Sequence, residues 1–172
     1  LLFAAGTARD LGATSVGLVA PYLPYMRQDA RFQPGEAVSA PLFARTISSA
    51  FDWMVTVDPH LHRIKQLGEV YRIATQAVAA APYLAGWVRS HVERPLLIGP
   101  DSESAQWVSE VAAGAGAPYR VLVKRRLGDR KVEITVPDLS QHSAFTPVLV
   151  DDIISSGTTM AIATESLERQ GL

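Results

Sequence analysis

The chain contains no cysteine, no long apolar run and no excess of charge of either sign. Without cysteine it cannot form disulfides, use a thiolate nucleophile or bind a metal through sulfur, and it suits a reducing compartment. Its 16 basic residues are matched by 17 acidic ones, so no overall field draws it to nucleic acid or to a membrane surface. No apolar segment approaches the roughly 18 residues of a membrane span. We expect a cytoplasmic protein that binds neither nucleic acid nor membranes.

Both ends of the sequence look interrupted. Leu1 begins inside an apolar helical pattern, with no initiating methionine and no basic start of a signal peptide, and the last helical pattern stops at Gly171. We therefore expect a longer parent chain. The 172 residues, 48% of them apolar, suffice for one large core or two small ones.

Short β-rich apolar runs alternate with helical patterns, which predicts an α/β fold with mostly parallel sheets flanked by helices. Strands are expected near residues 15–20, 53–57, 95–99, 119–123, 131–136 and 147–150. Helices are expected near residues 2–11, 37–50, 82–92, 102–113 and 158–169. The mixed stretch 66–81 is the expected position of a domain seam.

Polar residues directly follow several of the predicted strands. They stand in the segments PYLPYMRQD, DPHLH, PDSES, KRR and DD. Ligands of open α/β sheets bind outside the carboxyl ends of the strands, so these residues are candidates for one cleft. Solvated turns are the alternative for any one of them. A mixture of acidic and basic groups is what a metal ion with a polyphosphate needs.

Residues 147–160, PVLVDDIISSGTTM, place two adjacent carboxylates after an apolar run and before a loop of small residues. The carboxylates are Asp151 and Asp152, and the loop residues are Ser155, Ser156, Gly157, Thr158 and Thr159. A helix starting near Thr158 offers free N–H groups and a positive dipole, so the loop is a candidate phosphate cradle. It is not a Walker A loop, because no lysine follows the glycine.

Two carboxylates about 4 Å apart repel by roughly 4 kcal/mol at an effective dielectric near 20, which favours a bound cation or hydrogen-bond donors. The hydroxyls of a sugar are such donors. A carboxylate pair beside a phosphate loop therefore indicates a ribose 5-phosphate site. The alternative is a plain helix N-cap at Ser156, which explains the serines but not the doubled aspartate.

The segment 120–136, RVLVKRRLGDRKVEITV, predicts a hairpin with a basic tip, because strict alternation follows a Gly-Asp turn. A solvated basic face or a weak RNA contact are the alternatives. Its aromatic content is low, which makes nucleic acid the weaker interpretation.

The 147–160 pattern resembles the ribose-phosphate motif of the type I phosphoribosyltransferase fold. Four further segments resemble those of the ribose-phosphate diphosphokinases, also called phosphoribosyl pyrophosphate synthetases. They are YMRQDARFQPGEAVSAPLFA (25–44), VTVDPHLHRI (55–64), GPD (99–101) and KRR (124–126). The resemblance covers essentially the whole chain, and nucleobase phosphoribosyltransferases lack the first two segments.

The resemblance implies transfer of the diphosphoryl group of ATP to ribose 5-phosphate, with Mg²⁺ as cofactor and a homo-oligomer of dimers, such as a hexamer. It implies two phosphoribosyltransferase-like domains, both truncated, with an ATP-side domain at 1–76 and a ribose-phosphate-binding domain at 77–172. It matches Arg27, Gln28 and His60 to ATP, and His60 and Asp101 to the metal. It matches Lys124 and Arg126 to a catalytic flap.

Other residues near these motifs receive minor roles or none. Asp29 is expected to orient the Arg27 segment, and Asp58 to be structural. His62, His91 and His142 are interpreted as non-ligands, the last two on surfaces.

Two departures from the family pattern leave the catalytic strength of the site open. Glu103 stands after the PD dipeptide where small residues are common, and Ser155 and Ser156 stand where an acid and a threonine are common. They suggest a non-catalytic regulatory paralogue of the synthetase as one alternative, and the shared ribose-phosphate loop leaves a nucleobase phosphoribosyltransferase as the other.

Overall fold

The computed structural model of the chain describes residues 1–126, 132–135 and 137–172, and for residues 124–126 and 132–134 it describes the backbone alone. The chain forms two compact units, Leu1–Ala79 and Ala80–Leu172, here called unit 1 and unit 2. Both are α/β, and the predicted fold class is confirmed.

Unit 1 is a three-stranded parallel sheet with helices. Its elements are α1 (Leu2–Asp10), β1 (Gly17–Ala20), α2 (Ser39–Ala50), β2 (Trp53–Val57), a 3₁₀ turn (Leu67–Glu69) and β3 (Ala74–Val78). The strand order is β1-β2-β3, with both pairs parallel. Helix α2 buries Ala40, Ala44 and Ile47, which are spaced to share one helix face. They belong to one core with Met26, which follows β1, and Met54, which lies in β2. Packing against α2 therefore holds both of these segments in place.

Unit 2 contains a second parallel sheet and a hairpin. Its elements are α3 (Ala81–His91), β4 (Pro95–Gly99), a 3₁₀ turn (Ser102–Ser104), α4 (Ala105–Ala115), β5 (Tyr119–Val121), β6 (Val123–Arg126), β7 (Val132–Thr135), a 3₁₀ turn (Ser140–His142), β8 (Thr146–Leu149) and α5 (Thr158–Glu168). The parallel sheet has the order β5-β4-β8, and β6 pairs with β7 antiparallel.

The central strand β4 is covered on both faces. Leu97 packs in a cluster with Val88 of α3 and Val108 of α4. Leu96 and Ile98 pack in another cluster that contains Ala163 of α5. Burial on both faces is why PLLIG reads as an uninterrupted apolar run. The strand thus presents the residues after Gly99 at a fixed place on the sheet edge.

The structure corrects the expected elements at two strands and the expected exposure of one histidine. Strand β3 was not predicted, and it lies within the stretch expected to be a seam. The single strand expected at 119–123 is two strands, β5 and β6, separated by the buried Leu122, whose N–H donates to the carbonyl of Gly99 at 2.8 Å. KRR therefore lies within β6 and not after a strand. His142 is 8% exposed, against the expectation of a surface position, because it packs on Phe145 with ring centroids 5.4 Å apart.

The other strands and helices lie close to their predicted positions. The hairpin is confirmed by the pairing of Lys124 with Ile134 and of Arg126 with Val132, while the tip at 127–131 and Val136 lie outside the described residues. Over the described part of the chain, every helix falls short of the length and apolarity needed to cross a bilayer.

Candidate functional site

Two of the predicted site segments follow neighbouring strands of unit 1. Strands β1 and β2 pair in parallel, so their carboxyl ends lie at one edge of the sheet. Arg27 and Gln28 come after β1, and His60 comes after β2. The fold therefore brings the three residues matched to ATP to the same edge of one unit.

The segment that carries Arg27 and Gln28 is anchored on both sides. Tyr25 has a left-handed backbone, with φ 67°, and the next residue, Met26, is 2% exposed. The Gln28 N–H donates to the Tyr25 carbonyl at 2.9 Å, and the Gln28 carbonyl accepts from the Ala40 N–H at 3.2 Å. Between these anchors the Arg27 side chain is exposed. Among the described residues, Gln28 Oε1 is buried with no hydrogen-bond partner, so it is an acceptor that a ligand donor can satisfy.

The segment that carries His60 is a strained turn. Asp58 and His60 have φ values of 37° and 53°, on either side of the buried Pro59. The His60 N–H donates to the Asp58 carbonyl at 2.8 Å, and the Asp58 N–H donates to the Val78 carbonyl at 3.1 Å. Left-handed backbone is uncommon for residues with a Cβ and concentrates at functional sites. The turn holds His60 half-buried at the sheet edge.

An ion pair joins the two segments. Arg63 Nη1 donates to Asp29 Oδ1 at 2.9 Å, and the Arg63 N–H donates to Asp29 Oδ2 at 3.3 Å. Asp29 is expected from the sequence to orient the Arg27 segment, and in the structure it is bound to the segment that follows β2. Arg63 was missed, because nothing in a sequence pairs two residues 34 positions apart without an alignment.

In unit 2, Asp101 is fixed by local hydrogen bonds after β4. Its Oδ1 accepts from the Glu103 N–H at 3.0 Å, and its carbonyl accepts from Ser104 Oγ at 2.6 Å. Ser104 is fully buried, and a Cβ on Gly99 would lie 2.4 Å from its Oγ. Ser104 was also missed as a residue that positions Asp101, although an Asp followed three residues later by a serine indicates such a cap. Glu103 itself is exposed to solvent.

Asp151 and Asp152 follow β8, which pairs in parallel with β4, so they share a sheet edge with Asp101. Both are half-buried, and Asp151 Oδ1 accepts from the Asp152 N–H at 3.0 Å. Burial raises the pKa of Asp151 to about 6, and the charges of Asp152 and Asp101 add to the rise. A half-buried carboxylate whose ionisation is disfavoured by two neighbouring carboxylates is suited to a divalent cation or to hydroxyl donors.

The loop 155–159 leads into α5, which begins at Thr158 as predicted. Gly157 occupies the N-cap position with φ 78°, and Ser156 Oγ accepts from the Thr158 N–H at 3.4 Å, so the alternative of a capping role for Ser156 stays open. Ser156 Oγ also lies 2.9 Å from Thr158 Oγ1. Ser155, Ser156 and Thr158 are exposed at the start of the helix, and Thr159 is half-buried there. Hydroxyls and a helix N-terminus together are suited to an anion.

For the remaining predicted site residues, the structure gives less information. Lys124 and Arg126 lie in β6, and their side chains lie outside what the structure describes. His60 belongs to unit 1 and Asp101 to unit 2. Among the described residues, no three side chains of His, Asp or Glu form a ready metal cage. His62 is exposed, with its ring 6.4 Å from that of His60.

Comparison with known families gives two matches along the chain. Residues 68–172 match the phosphoribosyl transferase domain, and residues 1–50 match the N-terminal domain of ribose phosphate pyrophosphokinase. The second match contains Arg27 and Gln28, and the first contains Asp101 and Asp151.

Similar proteins point the same way. A ribose-phosphate pyrophosphokinase of Methanopyrus kandleri is 39% identical over 95% of this chain and 56% of its own length. That of Methanobrevibacter smithii is 33% identical over 99% of this chain and 60% of its own. The crystal structure of phosphoribosylpyrophosphate synthetase from Mycobacterium smegmatis superposes with a TM-score of 0.79 at 26% identity, over 99% of this chain and 55% of that one.

The chain thus spans between half and two thirds of the length of these relatives. The resemblance found in the sequence motifs is confirmed. The chain belongs to the phosphoribosyl transferase domain family, and the ribose-phosphate pyrophosphokinases are the group within that family that both of its halves match.

Proposed function

We propose that the protein carrying this chain is a ribose-phosphate diphosphokinase, which makes phosphoribosyl diphosphate and AMP from ATP and ribose 5-phosphate. One observation carries the proposal. A single chain holds both an edge with an arginine, a glutamine and an imidazole, and an edge with paired carboxylates and a hydroxyl loop. The relatives are named for this activity and match the chain along nearly all of its length.

The ribose 5-phosphate is assigned to unit 2. Asp151 and Asp152 accept hydrogen bonds from the sugar hydroxyls, and the loop from Ser155 to Thr159 holds the phosphate. The raised pKa of Asp151, to about 6, supports this assignment. Burial and the neighbouring carboxylates disfavour its charge, and hydroxyl donors or a cation from the ligand would stabilise that charge. The exposed hydroxyls before α5 supply donors for an anion.

The nucleotide is assigned to unit 1. The guanidinium of Arg27 forks onto phosphate oxygens, and Gln28 and His60 complete the contacts. The orphaned acceptor Gln28 Oε1 supports a ligand with a donor group, such as an adenine amine or a ribose hydroxyl. The left-handed backbone at His60 supports a functional role for that turn.

We assign Mg²⁺ as the cofactor, with His60 of unit 1 and Asp101 of unit 2 each proposed as a ligand beside the substrate phosphates. Asp101 fits this role, because magnesium takes few protein ligands and prefers carboxylate oxygen, and a cation there would also offset the charge that Asp101 places near Asp151. When bound, the ion neutralises charge on the polyphosphate. Lys124 and Arg126 are assigned to the transferring group, whose negative charge they stabilise.

In the reaction, the anomeric oxygen of ribose 5-phosphate bonds to the β-phosphorus of ATP. The bond from that phosphorus to the bridging oxygen of the α-phosphate breaks, AMP leaves, and the hydroxyl proton passes to solvent. The chemistry asks for positioning and charge neutralisation, and not for a covalent intermediate. The protein is further proposed to be cytoplasmic and to form a homo-oligomer built from dimers, with a hexamer as one such form.

The test is AMP formation by the complete protein with ATP, ribose 5-phosphate and Mg²⁺. AMP and phosphoribosyl diphosphate should appear in equal amounts and only when all three are present. Consumption of phosphoribosyl diphosphate with a nucleobase would instead indicate a phosphoribosyltransferase. Nucleotide binding without any AMP would indicate a non-catalytic regulatory paralogue.

A further inference from the structure

The ion pair between Asp29 and Arg63 in unit 1 is unusually asymmetric. The Asp29 side chain is only 2% exposed, whereas the Arg63 side chain is 52% exposed. The carboxylate receives both the guanidinium and the backbone N–H of Arg63, one on each oxygen. The buried partner is the one next to Gln28, and the exposed partner lies three residues after His60.

This asymmetry makes the pair more than a surface contact. Exposed ion pairs contribute little, because both charges are already well solvated. Here one charge is out of water, so removing Arg63 leaves a buried carboxylate without its counter-charge. The cost of this unpaired buried charge then favours a shift of the Asp29 segment that exposes the carboxylate to solvent.

Arg63 also contacts the turn that follows Asp29. Its guanidinium carbon lies 5.4 Å from the centre of the Phe32 ring. Beyond that ring, Arg31 Nε donates to the Glu36 carbonyl at 2.8 Å, and the Gln33 N–H donates to Glu36 Oε2 at 3.1 Å. The loop after Asp29 is therefore closed on itself, and Arg63 joins it to the His60 turn.

The two joined segments both contain strained backbone. Tyr25 precedes Arg27 with φ 67°, and Asp58 and His60 have φ 37° and 53°. Such conformations persist only where surrounding contacts hold them. The Asp29–Arg63 pair is a contact that spans from one strained segment to the other.

We propose that Arg63 is a positioning residue for nucleotide binding, which fixes the Arg27 segment against the His60 turn through Asp29 and Phe32. The proposal rests on the assignment of ATP to unit 1. Arg63 itself does not need to touch the nucleotide. Its effect is to hold two ligand-binding segments in one relative geometry before the ligand arrives, which lowers the cost of binding.

The test compares ATP affinity and turnover in Arg63→Ala, Asp29→Asn and a matched control, Arg45→Ala, whose arginine is exposed on α2. Equilibrium binding of ATP is measured by calorimetry on folded protein, well below each variant's melting temperature. For Arg63→Ala we expect ATP affinity to fall about tenfold, which corresponds to about 1.4 kcal/mol. The affinity for ribose 5-phosphate and the kcat at saturating ATP should stay close to wild type.

Two further results are expected if Arg63 acts through Asp29. The double variant Asp29→Asn/Arg63→Ala should bind ATP no more weakly than Arg63→Ala alone, because the two changes break one interaction. Arg63→Lys should bind ATP more tightly than Arg63→Ala but more weakly than wild type, since an ammonium keeps the charge but not the planar guanidinium geometry or the contact with the Phe32 ring. Arg45→Ala should bind ATP as wild type does.

Wild-type ATP affinity in folded Arg63→Ala overturns the proposal, and so does an equal loss of affinity for both substrates. If Arg63→Ala does not fold, the ATP affinity of Asp29→Asn is the deciding measurement, because this change keeps the shape of the side chain and removes only its charge. A wild-type affinity in Asp29→Asn then overturns the proposal. If ATP binding depends on Arg63 but no AMP forms, the proposed reaction is wrong and this inference stands.

If AMP forms and the Arg63→Ala variant binds ATP as wild type does, the proposed reaction stands and this inference is wrong. If the wild-type protein binds no ATP, both are wrong.

Discussion

The two candidate half-sites differ in how their charges are balanced. In unit 1 the buried carboxylate of Asp29 has its counter-charge built in, because Arg63 lies 2.9 Å from it. In unit 2 burial raises the pKa of Asp151 to about 6, and the neighbouring charges of Asp152 and Asp101 add to that rise. The unit 1 edge is therefore held by an internal ion pair, whereas the unit 2 edge is electrostatically strained.

This difference indicates what each half-site needs from its ligand. An edge whose charges are internally paired binds a ligand by shape and by groups such as the Arg27 guanidinium. An edge with crowded carboxylates gains most from a ligand that brings donors or a cation. Changes to unit 1 should thus affect nucleotide affinity, and changes to unit 2 should affect ribose-phosphate affinity and stability.

The largest effect is expected from Lys124→Ala, which tests a role that belongs to neither binding edge. If Lys124 acts on the transferring group alone, kcat and kcat/KM should fall together by about 100-fold while both substrate affinities hold. Steady-state AMP formation by the complete protein measures this. Lys65→Ala is the control, because Lys65 is an exposed lysine of unit 1. A rise in KM with unchanged kcat would place Lys124 in substrate binding instead.

Asp151→Asn is expected to break the unit 2 edge alone. The amide keeps the size of the side chain but loses the charge, and a hydrogen bond to a charged group contributes about 1.5–3 kcal/mol, so ribose 5-phosphate affinity should fall at least about tenfold. Calorimetry with each ligand separately should show ATP affinity retained. Asp10→Asn, an exposed carboxylate on α1, serves as control. Equal loss of affinity for ATP and for ribose 5-phosphate would contradict the assignment of one ligand to each unit.

Much of this arrangement was predictable from the sequence, because local patterns decide it. The run PLLIG before Asp101 and the glycine before Thr158 fix a strand and a helix start that need no distant information. Strand β3 was missed because ATQAV has neither an apolar run nor an alternating pattern. It forms through parallel pairing with β2 along all five residues, from Ala74 to Val78. Such an edge strand is selected by its neighbour more than by its own composition.

The parts of the site that could not be predicted depend on contacts between distant segments. Asp29 could be recognised as a positioning residue from its place beside Gln28, but its partner Arg63 could not. Likewise, the pKa of Asp151 depends on Asp101, which is 50 residues away in sequence and adjacent only because β4 and β8 pair. The composition of residues 66–81 predicts a seam without fixing its position, and the structure divides the chain at Ala79.

The strain in unit 2 should also appear as a pH dependence of stability. The pKa of Asp151 is raised from 3.8 to about 6 in the folded state, so the folded protein binds more protons than the unfolded chain between these pH values. Asp151 therefore destabilises the fold as the pH rises from about 4 to 6. Without ligands, Asp151→Asn should be more stable than wild type by about 1 kcal/mol at pH 7.5, once solvent screening is allowed for.

Denaturant unfolding at pH 4 and pH 7.5 measures the effect. The advantage of Asp151→Asn should vanish at pH 4, where Asp151 is protonated in the folded state. Asp10→Asn should differ from wild type by the same small amount at both values. An advantage that is equally large at pH 4 would mean that packing, and not charge, limits stability at this edge.

The smallest effect is expected at Gly157, where two glycines allow a matched comparison. Gly157 and Gly171 have φ values of 78° and 81°, and a Cβ on either meets no atom within 4 Å. Alanine therefore costs the same backbone strain of about 1 kcal/mol at both positions, and stability should fall alike. Only Gly157 lies in the proposed phosphate loop, so Gly157→Ala alone should weaken ribose 5-phosphate binding, by about threefold as the loop shifts its donors. Calorimetry on both variants, with melting curves for each, separates strain from binding. Equal affinities in the two variants would show that the phosphate is held elsewhere and that the carboxylates carry the unit 2 edge by themselves.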